Sequence, residues 1–190
     1  MIRESIITTL SAAGTPHIVP MGVIWREGAP ILAPFHPSRT LENLREHPCA
    51  VINHTDDVRV FAGGVTGRRD WPLRPAQTIR GVILEGALSH QEIEVATVEE
   101  DPVRPRFRCR VVHEAGHAPF HGFNRAQAAV IEGAILISRL ELLPMEKIER
   151  EMAYLAVAVE KTAGPIEQEA WGWLEMRLRE FRREAGGHRQ

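Results

Sequence analysis

Hydrophobic positions along the first two thirds of the chain come in short runs broken by turn residues. The runs "ESIITTL", "HIVPMGVIW" and "ILAPF" are separated by "SAAGTP" and "REGAP". Short β-branched runs alternating with tight turns predict an antiparallel meander. "PSRTLENLREHP" changes character: Ser38 or Thr40 caps a short helix, Leu41 and Leu44 share one face, and Pro48 closes it. "CAVINHT" reads as a further strand. "DDVRVFAGG" leads into "VTGRRDWPLRP", whose Gly, Pro and Arg content predicts an exposed loop. "QTIRGVILEGALSHQEIEVATVEED" reads as one long strand or a bent pair. In "RPRFRCRVV", Arg106, Arg108 and Arg110 alternate with Phe107, Cys109 and Val111, which predicts a half-buried strand with an arginine face.

Beyond residue 122 the period lengthens. "NRAQAAVIEGAILISRLELL" carries Ala126, Ala129, Val130, Gly133, Ile137 and Leu140 at helical spacing, and Pro144 stops it. "MEKIEREMAYLAVAVEKT" follows as a second helix. "AGP" breaks the chain, and "IEQEAWGWLEMRLREFRRE" forms a third helix with Trp171, Leu174, Leu178 and Phe181 on one stripe. The pattern therefore predicts an α+β chain: a β-rich domain over residues 1–122 and a helical region over residues 123–190.

The 190 residues suffice for one domain with a real core, or one domain and an appendage. A formal net charge of −2 implies no nucleic-acid partner. Two cysteines, Cys49 and Cys109, without a C-x-x-C pair, point away from a disulfide framework and toward the cytoplasm. The N-terminal "MIRESIITTL" lacks the features of a signal peptide, and no apolar run reaches membrane-spanning length.

"VVHEAGHA" contains His113-Glu114-Ala115-Gly116-His117, a literal H-E-x-x-H. In zinc peptidases both histidines lie on one helical face and the glutamate activates the metal-bound water. Glu132 offers a third ligand for such a zinc hydrolase. The context opposes it: the preceding residues alternate like a strand, and Pro119 follows His117 closely. The segment is better read as the exit of a strand that ends at Val111-Val112, with His113, His117 and His121 in a loop, and no metal ligand is assigned.

Ser38, Arg39, Thr40 and Asn43 open the short helix with hydroxyls, an amide, a cation and free N–H groups, the makings of a phosphate seat. No Ser-His-Asp or paired-carboxylate set accompanies it. The segments "ESIITT", "PHIVPMGV", "SRTLENL", "VINHTDD" and "GFNRAQAAVIEGAILISRL" resemble the DUF447 family of FMN-binding split-barrel proteins, related to flavin reductases. That resemblance spans nearly the whole chain. It implies a six-stranded antiparallel Greek-key split β-barrel followed by a helical C-terminal region, a homodimer, and FMN as cofactor. It places the FMN phosphate at Ser38, Arg39, Thr40 and Asn43. It sets Pro20, Met21 and Gly22 along the isoalloxazine, and Asn53, Thr55 and Asp56 near the flavin's polar atoms. Asn124 would cap the first C-terminal helix, and Arg125 would reach the flavin or a substrate anion. His36 departs from the aromatic residue that the family tends to place before the phosphate seat. The implied function is that of an FMN-dependent oxidoreductase of unknown small-molecule substrate, with a link to methanopterin-type C1 metabolism. The alternatives are the zinc hydrolase and a non-catalytic flavin-binding dimeric module.

Overall fold

A computed structural model describes residues 1–187 of the chain. It divides into two compact units: Met1–Asp56 with Asp70–Phe120, and Asp57–Arg69 with the chain from His121 onward.

The first unit holds β1 (Ile2–Leu10), β2 (Pro16–Arg26), β3 (Ala29–Leu32), α1 (Arg39–Glu46), β4 (Cys49–His54), β5 (Leu73–Pro75), β6 (Val82–Leu84), β7 (Ser89–Glu99) and β8 (Arg106–Gly116). Six strands close into an antiparallel barrel in the order β1-β2-β3-β8-β7-β4, while β5 and β6 pair separately. Closure leaves the barrel without an unpaired sheet edge. The β2–β3 hairpin turns through Glu27 and Gly28, both at positive φ (53° and 77°), as a two-residue turn matched to strand twist requires.

Alternation sorts the strand residues into two layers. Ile7, Val23, Leu32, Ala50, Ile52, Ile93, Phe107 and Cys109 fill the interior, and Leu41 and Leu44 of α1 pack among them. Each of the Val, Leu, Ile and Phe side chains among them contributes about 1.5–3 kcal/mol when fully buried. The arginine face expected of β8 is present: Arg106 and Arg110 are exposed while Phe107 and Cys109 are buried.

The outward residues Thr8, Asn53, His90 and Glu92 are also buried, because the β5–β6 hairpin covers them. Polar contacts hold that cover down. Thr8 Oγ1 donates to the Val82 carbonyl at 2.5 Å. Leu84 N–H donates to Asn53 Oδ1 at 2.9 Å, and Asn53 Nδ2 donates to the Ile6 carbonyl at 3.0 Å.

The second unit consists of α2 (Arg59–Thr66), α3 (Arg125–Ile137), α4 (Met145–Thr162) and α5 (Pro165–Gly187). Its core joins Val58, Ala126, Val130, Ile137, Ile148, Met152, Trp171 and Leu174. The stripe on α5 is buried as its spacing predicts, with Phe181 packed at its margin. Asn124 is the N-cap of α3: its Oδ1 accepts the Ala126 N–H at 2.7 Å and its Nδ2 donates to the Thr162 carbonyl at 3.0 Å.

Three stretches differ from the pattern-based reading. Residues 59–66 form a helix, ended by Gly67 in the left-handed region (φ 86°). Its two glycines and β-branched residues favour helix poorly, so the burial of Val60, Phe61 and Ala62 decides its conformation. Residues 73–75, read as loop, are β5. Helix α3 ends at Ile137, and turns occupy most of the stretch up to Pro144. The segment from residue 77 resolves as the bent pair, β6 and β7.

Candidate functional site

The turn into α1 is built by Ser38, whose hydroxyl accepts the Leu41 N–H at 3.3 Å. Of the four residues grouped there from sequence, Arg39 is exposed and Ser38 half-buried, while Thr40 and Asn43 are each 2% exposed. Asn43 Nδ2 donates to Thr9 Oγ1 at 2.8 Å inside the barrel. Ser38 and Arg39 thus lie toward the surface, while Thr40 and Asn43 are buried and Asn43 braces the helix from within.

On β2, Met21 packs against the barrel interior, so Pro20 and Gly22 lie on the opposite face. Gly22 stands across from Glu4. A Cβ there would meet Ile2 Cγ2 at 2.9 Å and Glu4 Oε1 at 3.1 Å, so crowding from β1 accounts for this glycine. Asn53 is fully committed to β1 and β6 by the bonds described above. Thr55 Oγ1 donates to the Gly86 carbonyl at 3.0 Å, and Asp56 is half-buried after β4. Arg125 belongs to the second unit, exposed in the first turn of α3.

The first four H-E-x-x-H residues, His113 to Gly116, lie on a strand, and His117 follows directly after it. β8 continues to Gly116, so the expected strand end at Val112 is four residues too early. Its partner strand β7 pairs with it up to that point, with irregularities at Val112 on β8 and at Ala96 on β7. In an extended chain His113 and His117 share one face while Glu114 takes the other. Glu114 Oε2 accepts the Gln91 Nε2–H at 3.1 Å on that second face. The arrangement that peptidase chemistry requires is therefore not formed.

The histidine face meets residues that the sequence reading did not select. His113 pairs directly with Glu92, and His90 lies two residues before Glu92 on the same face. His90 Nε2 is 3.4 Å from Glu92 Oε1, and His90 Nδ1 is 2.8 Å from His117 Nε2. The His90 and His117 rings stack at 4.9 Å, and Arg74 NH2 lies 2.8 Å from His117 Nε2. Glu92 Oε1 accepts the Gln77 N–H, and Oε2 accepts those of Thr78 and Ile79, at 2.7–2.9 Å. The signal in the sequence was the alternation in "SHQEIE", which puts His90 and Glu92 on one strand face.

Burial opposes the charge on Glu92, but the backbone N–H groups of Gln77, Ile79 and Thr78 and the His90 ring outweigh it and hold the carboxyl below its usual range. Burial lowers His90, against the pull of Glu92. Burial and the Arg74 guanidinium lower His117. The rings are thus held neutral beside an ionised carboxylate. Cys49 and Cys109 are free and buried, and burial pushes their thiols up to about 11 and about 12, far from nucleophilic thiolates. Among the described residues no helix is long and apolar enough to cross a membrane.

No curated protein sequence matches this chain. A protein of known structure from Methanosarcina mazei, described as FMN-bound and of family DUF447, superposes with a TM-score of 0.81 at 18% identity, covering 93% of this chain and 95% of that one. The flavoredoxin of Methanosarcina acetivorans matches with a TM-score of 0.53 at 12% identity, over 61% of this chain and 69% of its own. The 2-nitrobenzoate 2-nitroreductase of Pseudomonas fluorescens matches with a TM-score of 0.52 at 19% identity, over 60% and 64%. These likenesses show the fold, a six-stranded split barrel followed by a helical C-terminal region. The model of the N-terminal domain of DUF447, a protein of unknown function, matches residues 3–118, and the model of its C-terminal part matches residues 124–176. The chain belongs to the DUF447 family.

Proposed function

We propose that this protein binds FMN and acts as a flavin-dependent oxidoreductase on a small molecule. The observation that carries this reading is the likeness, over nearly the full length of both chains, to an FMN-bound protein of the same family. Bound FMN supplies hydride or single-electron transfer, and the protein supplies position and electrostatics.

The residues at the start of α1 fit the phosphate end. Arg39 offers an exposed guanidinium beside a helix N-terminus, where partial positive charge favours an anion. Ser38 shapes that turn, Asn43 holds it from inside through Thr9, and Thr40 is buried in the same turn. Pro20 and Gly22, with Met21 behind them, form the strand along the flavin ring. Asn53 keeps the neighbouring backbone in place, while Thr55 and Asp56 stand as contacts to the flavin's polar atoms. The same reading makes the protein a cytoplasmic homodimer, in keeping with its two free cysteines.

The test is a fluorescence-quenching titration with FMN and with riboflavin. Arg39→Ala is expected to weaken FMN binding on the order of 10-fold and to leave riboflavin unchanged, since a charge-assisted contact to phosphate is lost. Equal FMN affinity in variant and parent would place the phosphate elsewhere.

A further inference from the structure

We propose that His90, Glu92 and His113 form a binding site for one divalent transition-metal ion of the zinc class, which fastens the β5–β6 hairpin to the β7–β8 ladder. The site is distinct from the proposed phosphate seat and does not depend on flavin binding.

The donor set comes first. One ring nitrogen from each histidine and one Glu92 oxygen lie within 4.8 Å of one another. Two imidazoles and a carboxylate suit a borderline ion such as zinc, and leave one tetrahedral position for water. Both His90 and Glu92 are 0% exposed, so the ligands are pre-placed and shielded.

The second observation is an orphan. His113 Nε2 is buried and has no hydrogen-bond partner. A buried ring nitrogen without a partner costs about 1–3 kcal/mol. His113 stands directly across the ladder from Glu92, and a metal ion between them gives this nitrogen the partner it lacks.

Supporting contacts are present around the ligands. A ligating histidine is commonly oriented through its other ring nitrogen, and ligating carboxylates are themselves hydrogen-bonded. His90 Nδ1 faces His117 Nε2 at 2.8 Å, so with the proton on Nδ1 its Nε2 lone pair is turned toward Glu92. Glu92 is fixed by the N–H groups of Gln77, Thr78 and Ile79. Those three residues lie in the loop between β5 and β6, which is how the ion would secure the hairpin.

This site uses only His113 of the H-E-x-x-H motif, and Glu114 is turned to the other face. The two arrangements are therefore separable by substitution. The full chain is produced in medium supplemented with Co²⁺, purified, and assayed by elemental analysis and X-ray absorption. About one cobalt per chain with nitrogen and oxygen neighbours is expected. His113→Asn should lose the metal while Glu114→Gln keeps it, with far-UV circular dichroism reporting the fold of each. The proposal is overturned if the parent protein holds only a small fraction of an equivalent, if folded His113→Asn retains the ion, or if folded Glu114→Gln loses it. Should His113→Asn not fold, the parent's metal content and the Glu114→Gln result still decide.

Discussion

Glu92 accepts the backbone N–H of Ile79 at 2.9 Å although its side chain is 0% exposed. With Gln77 and Thr78 bonded to the same carboxylate, one buried charge organises the loop between two short strands. Glu92→Ala leaves three donors without their acceptor. A loss of about 3–5 kcal/mol is expected, as for removal of one member of a buried charged network. Urea denaturation of parent and variant measures it, and a loss below about 1 kcal/mol would mean that the loop finds other partners.

The same cluster, together with His54 on β4, makes stability sensitive to acid in metal-free protein. His90, His117 and His54 are all lowered from 6.5, burial being the first cause in each. Below that value the unfolded chain takes up protons that the folded rings resist, so the folded state loses ground as pH falls. Glu92, lowered from 4.5, adds a further loss at more acidic pH, as its carboxylate is forced to protonate. The thermal midpoint should therefore fall steadily from about pH 7 to about pH 4. A flat profile over that interval would contradict the neutral state of these rings.

Gly133 tests packing in the helical unit. A Cβ there would come within 3.0 Å of Trp171 Cζ3 and 3.1 Å of Leu174 Cδ1, two side chains that are 7% and 0% exposed. Alanine improves helix propensity by about 1 kcal/mol, and overpacking costs about 1–3 kcal/mol. Because neither neighbour has room to yield, Gly133→Ala should be net destabilising. A calorimetric midpoint above that of the parent would show that Trp171 moves aside.

Asn124→Ala removes both the cap to Ala126 N–H and the bond to the Thr162 carbonyl. The expected loss is about 1–2 kcal/mol. Hydrogen exchange should quicken first in the opening turn of α3, and unchanged protection there would argue against the cap.

Much of this architecture was readable from residue patterns because the periods are strong. The alternation from Arg106 to Val111, the turn-separated strands and the α5 stripe of Trp171, Leu174 and Leu178 each have one burial solution. Helix α2 was not readable, since Gly63 and Gly64 weaken its propensity and only the packing of Val60 and Phe61 decides it. At the α1 turn the residue types announced a phosphate seat, but their spacing alone did not divide them. Only the closed barrel shows Asn43 turned inward to Thr9 and Arg39 outward. H-E-x-x-H was set aside correctly as a peptidase motif, but the strand that carries it was ended too early. The motif's four-residue spacing brings two histidines to one face of a helix and also to one face of a strand, so the letters do not choose. Carrying the strand past Val112 separates Glu114 from His113, but unbroken alternation would leave His113 on the core face with Val111; the irregularity at Val112 turns it toward Glu92 and His90, and nothing in the sequence announces it.

The central claim is FMN binding by the full chain. Equilibrium titration of the flavin-stripped protein with FMN, followed by flavin fluorescence, tests it most directly. The predicted result is saturable quenching at about one FMN per chain with a shifted flavin absorbance spectrum. Free-flavin fluorescence and an unshifted spectrum at every protein concentration would contradict it.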